Sequence, residues 1–560
     1  MHFIKIIDSI FSLNNRSRKI VIVFFSIIFS SNIKTINSDL IDINHFNYYL
    51  KNVSILSTVK DMNLFDARNY DFEYQSFSAP IKSTLTTLNP LSREREISLN
   101  ESAHLLRRTI IGPTIEEIDY LSTLNVADAV EYLLRDIADP SAPGEWVNDP
   151  FPLNVYTDYS QAQKDSLNDI YALYATELNE WWIDLMYYNP TSIVEQMTMF
   201  WHDHFATSIE TVSYPPAMYH QNKTLRDNAL GNFKDLVTMM TFDPAMMVWL
   251  DNMENRVGAI NENFARELLE LFTMGEGNYT QQDVMEAARG LTGYQTDGLN
   301  TYLNPNRFDD GIKTFLGQTG NFNTYDIIDI IFEQPQTAYF ISEKLYKWFV
   351  YENPNEQIVQ ELAQVMIENN YEIKPVLSVL LNSEHFFDEN FYGSKYKDPL
   401  THSIGAIRQS YIDVNQTINF EYTLHQILRY VQNLGGQLIL YPPDVSGWPG
   451  YRNWINTYTL PWRKLYTNYL FDGTFGITSD PISFVERIPN GLSDPNALLD
   501  YLYIYFYAIE PSELTKQNLM DELLAGADPF EWHLLYYDGA IDRFVDVVER
   551  MMRLSEYQLK

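Results

Sequence analysis

The chain has 560 residues, of which 45% are apolar and none is cysteine, and it carries a formal net charge of −35. That length and apolar fraction suffice for a large core and rule out wholesale disorder, while the lack of cysteine excludes disulfides, thiolate catalysis and cysteine-ligated zinc or iron–sulfur clusters. The negative charge argues against nucleic acid as a partner and against loose attachment to anionic lipid, because a polyanion is repelled over most of the surface.

At the start, Lys5, Arg16, Arg18 and Lys19 precede an apolar run from Ile20 to Phe29. A basic segment before an apolar stretch of about ten residues is too short for a comfortable membrane span and has the pattern of an export signal. Residues 1–36 are therefore expected to be a signal peptide or, since no Ala-x-Ala cleavage site follows, an N-terminal anchor. The protein is accordingly expected to be exported, to the periplasm, the outer surface or the medium. Residues 37–95, rich in Asn, Ser and Thr, read as a variable leader or arm, and residues 96–560 as one helical domain.

From Ser98 the apolar residues recur at helical spacing: Leu105, Leu106 and Ile110, then Ile115, Ile118 and Leu121. Helices are predicted over 165–188, 192–205, 223–240 (with Gly231 as a weak point), 261–274, 280–291, 324–332, 335–350, 355–369 and 374–381. Others are predicted over 423–433, 495–508, 512–525 and 540–554. Strand-like segments are confined to a small excursion near 296–316. Strands do not alternate with helices, so the expected class is mainly α, a large bundle-like domain.

Four constellations could carry chemistry. In 261–274, Glu262, Arg266 and Glu270 form one charged row at helical spacing, with Asn263 and Glu267 beside the apolar stripe. A glycine stop at Gly275 and a capping box from Thr280 to Asp283 lead into a second helix bearing Glu286 and Arg289. This hairpin could aim Glu267, Glu286, Arg266 and Arg289 into one cleft for acid–base work or anion binding. It could equally be an ion-pair network that fixes helix register. Second, His202 and His204 share a face only at a helix end or in an extended turn, where they could serve as acid or ligand; core histidines bonded to backbone are the plainer alternative. Third, Asp309 and Asp310 before Gly311 offer hard oxygen ligands to a divalent cation, or simply form a turn. Fourth, the stiff segment 441–450 carries Trp448, either presented to a sugar ring or plugged into the core. No Gly-x-Ser-x-Gly, Gly-x-Gly-x-x-Gly, Walker loop or His-Glu-x-x-His motif is present.

In this order the motifs closely resemble the bacterial family called domain of unknown function 1800. The resemblance rests on His104–Arg108, the 200–207 block, Gly231-Asn232-Phe233, Asp243–Met246 and Leu250-Asp251-Asn252. It continues through 261–280, 283–293, 313–320 and 442–450, covering more than three-quarters of the chain. It implies a mostly helical, exported protein without an assigned activity. It also implies a partner, or a shared pathway, among exported sulfatase-like proteins, beside which members are often encoded. Relatives usually carry His-Asp where this chain has Asp309-Asp310, so no metal role passes to those positions. The expectation is therefore an exported protein of the cell envelope or extracellular space. It would have either a polar cleft (His202, His204, Asn263, Glu267, Asp283, Glu286, Arg289) for hydrolysis or lysis of an extracellular polymer, or a non-catalytic role binding a sulfatase-like partner or a glycan.

Overall fold

A computed structural model describes residues 83–151, 158–188, 190–411, 420–471 and 480–560. The expected signal or anchor and most of the expected arm lie outside them. The described end of that arm is pinned to the body. The Leu91 amide donates to the Asn382 carbonyl at 2.9 Å, and the Leu88 amide to the Glu361 carboxylate at 2.8 Å.

The first helices are α1 (Leu99–Thr109), α2 (Ile115–Ser122) and α3 (Val126–Leu133). Ser98 and Thr114 close capping boxes with Glu101 and Glu117, pairing amides that a helix start leaves without partners. The long α4 (Gln161–Tyr187) buries Leu178, Trp182, Ile183 and Met186 along its C-terminal half. Next come α5 (Val194–His204), buried along nearly its whole length, and α6 (Pro215–Asp227), which packs on it. Then follow α7 (Phe233–Thr241), α8 (Pro244–Trp249), α9 (Asn263–Glu267) and α10 (Gln281–Gly290).

The β excursion is two separate antiparallel hairpins. In one, β1 (Tyr294–Thr296) pairs with β2 (Thr301–Leu303), Tyr294 opposite Leu303. In the other, β3 (Lys313–Phe315) pairs with β4 (Gln318–Gly320), Lys313 opposite Gly320. Helices then resume with α11 (Thr324–Phe332), α12 (Pro335–Phe349), α13 (Glu356–Glu368) and α14 (Ile373–Leu381). The last third holds α15 (Pro399–Gln409), α16 (Phe420–Gly435), α17 (Thr459–Phe471), α18 (Pro481–Glu486), α19 (Pro495–Phe506), α20 (Glu513–Leu524) and α21 (Ala540–Arg553). Six of these helices begin with proline at a first-turn position (α6, α8, α12, α15, α18 and α19). There the missing N–H costs no hydrogen bond. The class is mainly α, with helices around a core that fully buries Trp182, Trp201 and Trp532. Among the described residues no helix is long and apolar enough to cross a membrane.

Two predicted helices differ in their course. The one expected over 223–240 is broken: α6 ends at Asp227, and Asn232 caps α7 through its side chain, accepting from the Lys234 and Asp235 amides. Asn232 outcompetes continuation because its carboxamide satisfies amides that an unbroken helix would pair with backbone. The helix expected over 261–274 begins as α9 but widens into a π-turn over Leu268–Thr273. There the Met274 amide reaches back to the Leu269 carbonyl at 2.9 Å.

Candidate functional site

The hairpin of α9 and α10 forms where the sequence places it. Thr280 and Asp283 close the capping box of α10, and Gly275 turns the chain at φ +79°. Among its charged residues, Arg266, Asp283, Glu286 and Arg289 are engaged by neighbouring side chains and backbone. The Glu286 carboxylate accepts from Gln282 Nε2 at 2.8 Å, Arg289 Nη1 at 2.7 Å and the Thr314 amide at 3.3 Å. Arg289 also grips Asp309 with two parallel bonds, Nε to Oδ2 at 2.9 Å and Nη2 to Oδ1 at 3.1 Å. That fork holds the Asp309 carboxyl below its ordinary range and the Arg289 guanidinium above its own. Lys313 is buried and donates to the Asp309 and Gly311 carbonyls at 2.7 and 3.0 Å.

Asp283 adds a second tie, since its Oδ1 accepts the Leu316 amide at 2.8 Å. Burial pushes its carboxyl up, but bonds from the Thr280 hydroxyl and amide and from Leu316 bring it below the usual value. The polar face of α10 is thus laced to β3 and the segment before it. On α9, Arg266 donates to Glu262 at 3.1 Å and to Gln281 at 3.0 Å, and Tyr279 donates to Glu270 at 3.0 Å. Glu267 is half-buried; burial and then the neighbouring Glu270 hold its carboxyl above the ordinary range. Asn263 is exposed and donates to the Leu250 carbonyl at 3.3 Å.

The histidines do not join this network. Both sit on α5, whose 3.6-residue turn sends them to different surroundings. His202 is buried between Trp182 and Trp448, ring centroids 5.2 and 5.6 Å away, and burial alone drives its pKa down to about 3. His204 faces the π-turn: its Nε2 lies 3.0 Å from the Phe272 carbonyl and its Nδ1 3.1 Å from Lys344 Nζ. Burial, then the Lys344 charge, holds it well below the usual imidazole value. A neutral ring that donates from Nε2 and accepts at Nδ1 satisfies both contacts. Lys344 also donates to the Leu271 carbonyl at 3.1 Å. The π-turn makes this possible, because widened backbone leaves carbonyls free for side-chain donors. The two imidazoles thus face different surroundings, and among the described residues they join no cluster of three metal-ligating side chains.

Trp448 is buried at 7% exposure rather than presented to a sugar ring. Its amide donates to Asp203 at 2.8 Å. Asp203 and Lys344 are the groups that sequence reasoning missed: burial pushes the Asp203 carboxyl up to about 6 and the Lys344 ammonium down to about 8. Their partners lie far away in the chain, so no local pattern announces them.

Asp310 is exposed while Asp309 is spent on Arg289. Among the described residues no three His, Asp or Glu side chains converge as ion ligands. One cavity lies beneath Arg107 and Lys397, another beside Trp181 and Tyr219, and neither shares a lining residue with the hairpin or the histidines.

The model of a family described as protein of unknown function (DUF1800) matches residues 104–559. No curated protein and no solved structure matches.

Proposed function

The chain belongs to the DUF1800 family, and we propose that it is an exported, non-catalytic scaffold that binds a sulfatase-like protein partner. The observation that carries this reading is the Glu286–Arg289–Asp309 network. Both oxygens of Glu286 and the donors of Arg289 that face it are already paired. A general base needs a free oxygen within reach of a substrate proton, and an anion-binding arginine needs free N–H groups. Glu286 already accepts three bonds and Arg289 donates four, and together they tie a helix to a hairpin.

Charge selects between the two kinds of partner. A sulfated glycan is a polyanion and would meet a chain of net charge −35, which slows its approach and disfavours contact. A protein with a basic face gains from the same field.

The test is a calorimetric titration of the purified full chain against the exported sulfatase-like protein, run beside a turnover screen on sulfated and unsulfated polysaccharides. Saturable binding with no turnover is expected. Turnover that Glu267→Gln abolishes at an unchanged melting temperature would overturn the reading, as would the absence of any complex.

A further inference from the structure

In a chain with 74 acidic and 39 basic residues, one interior region reverses the balance. Where α1 and α15 meet the last residues of the chain, a small cavity with room for about one water-sized sphere is lined by Arg107, Lys397, Thr401, Gln409 and Lys560 among others. Arg107, Lys397, Arg463 and Lys560 are 3%, 5%, 4% and 6% exposed. The carboxylate of Asp398 is engaged by Lys560 at 3.0 Å and by the Thr401 hydroxyl at 2.6 Å.

Among the described residues no side-chain carboxylate forms an ion pair with the other three cations. Arg107 gives one Nη2 bond to the Ile504 carbonyl, while its Nε and Nη1 have no partner among the described residues. Arg463 gives Nη1 to the Lys397 carbonyl at 2.8 Å, and its Nε and Nη2 have no partner among the described residues. The Lys397 ammonium stands 3.4 Å from the centre of the Tyr557 ring. A buried cation without a partner costs several kcal/mol, and unpaired buried donors add to that. Burial, followed by repulsion from Arg107, Arg463 and Lys560, lowers the Lys397 pKa well below its ordinary value. Either an anion enters or the lysine gives up its proton.

We propose that this cavity binds one small monatomic anion, of halide size, between Arg107 and Lys397. The free guanidinium edge supplies directed donors and the ammonium a point charge. Gly112 confines the space: a Cβ there would lie 2.3 Å from the Gly405 Cα, so the turn after α1 sits directly against α15 and closes that edge. A polymer is excluded by size. The site does not depend on the scaffold reading.

The experiment measures thermal unfolding and calorimetric binding of the full chain in sodium gluconate at constant ionic strength, with chloride, sulfate or phosphate substituted in turn. A saturable rise in Tm of roughly 2–4 °C is expected with chloride and not with the larger sulfate or phosphate, with one ion bound per chain and at least tenfold weaker binding in Lys397→Met. Gln409→Glu places a carboxylate on the cavity wall, so its Tm without the ion should exceed that of the unaltered chain and its response to the ion should vanish. This second variant decides the matter if Lys397→Met does not fold. No saturable response, or an equal response in the unaltered chain and Gln409→Glu, means that the cluster is neutralised from within or by general screening, and overturns the site.

Discussion

The Asp203 carboxylate accepts the Trp448 amide at 2.8 Å, joining positions 245 residues apart in the chain. This single bond brings the histidine-bearing end of α5 against the proline-rich segment that follows α16. It also explains why Trp448 is sealed rather than displayed, because fixing its amide turns the indole onto His202.

Gly447, at φ +83°, makes that contact possible. A Cβ there would sit 2.3 Å from Asp203 Oδ1 and 2.6 Å from the Asp203 carbonyl oxygen. Gly447→Ala therefore combines a backbone penalty with a steric one and is expected to cost about 2–4 kcal/mol. Urea denaturation would show a lower midpoint at unchanged slope; an unaltered midpoint would contradict the contact.

Asp243 gives a pH dependence with a definite sign. Burial pushes its carboxyl from 3.8 up to about 7, against bonds from the Met246 amide, Gln221 and the Ala245 amide. A pKa raised on folding contributes stability below the unfolded value and loses it as pH rises through the folded one. The loss from this group should thus run from about pH 4 to pH 7. Asp243→Asn cannot ionise, so its stability relative to the unaltered chain should rise across that window, by on the order of a few kcal/mol. Urea unfolding at pH 4.5 and pH 8 checks this; a difference independent of pH would refute it.

Arg226 and Glu195 form an ion pair with side chains only 5% and 3% exposed, and Trp182 Nε1 also donates to Glu195 at 3.2 Å. Removing one partner strands the other charge in the interior. Arg226→Met alone should cost about 3–5 kcal/mol, and the double replacement Arg226→Met with Glu195→Leu distinctly less. Differential scanning calorimetry distinguishes the two patterns, and equal losses would count against a buried pair.

Much of this architecture was legible locally. Thr280 and Asp283 announce the start of α10 and Gly275 the stop before it, whereas the Asn232 cap that breaks the helix expected over 223–240 showed only as a weak point at Gly231. The π-turn was not legible, since Leu268–Thr273 has ordinary helical composition and widens where Lys344 and His204 claim the Leu271 and Phe272 carbonyls. The candidate cleft was misjudged for a related reason. Helical spacing places Glu286 and Arg289 on one face but does not say what covers it, and here that face is covered by Asp309 and the edge of β3.

The two hairpin glutamates should respond differently to the same change. Glu286→Gln loses the charge that Arg289 Nη1 and the Thr314 amide address, and is expected to cost roughly 1.5–3 kcal/mol. Glu267→Gln removes a charge that burial and Glu270 already disfavour, so its Tm should stay level or rise slightly. Thermal melts of both variants at pH 7 suffice, and a lower Tm for Glu267→Gln than for Glu286→Gln would invert the assignment.

The claim that these polar helices brace the fold is tested most directly by a double-mutant cycle on stability between Arg289 and Asp309, using Arg289→Ala, Asp309→Ala and the pair. Two parallel bonds between partly buried partners predict a coupling of about 1–3 kcal/mol. A coupling indistinguishable from zero would mean that the fork carries no structural load, and would return Arg289 and Glu286 to the pool of groups free to act on a ligand.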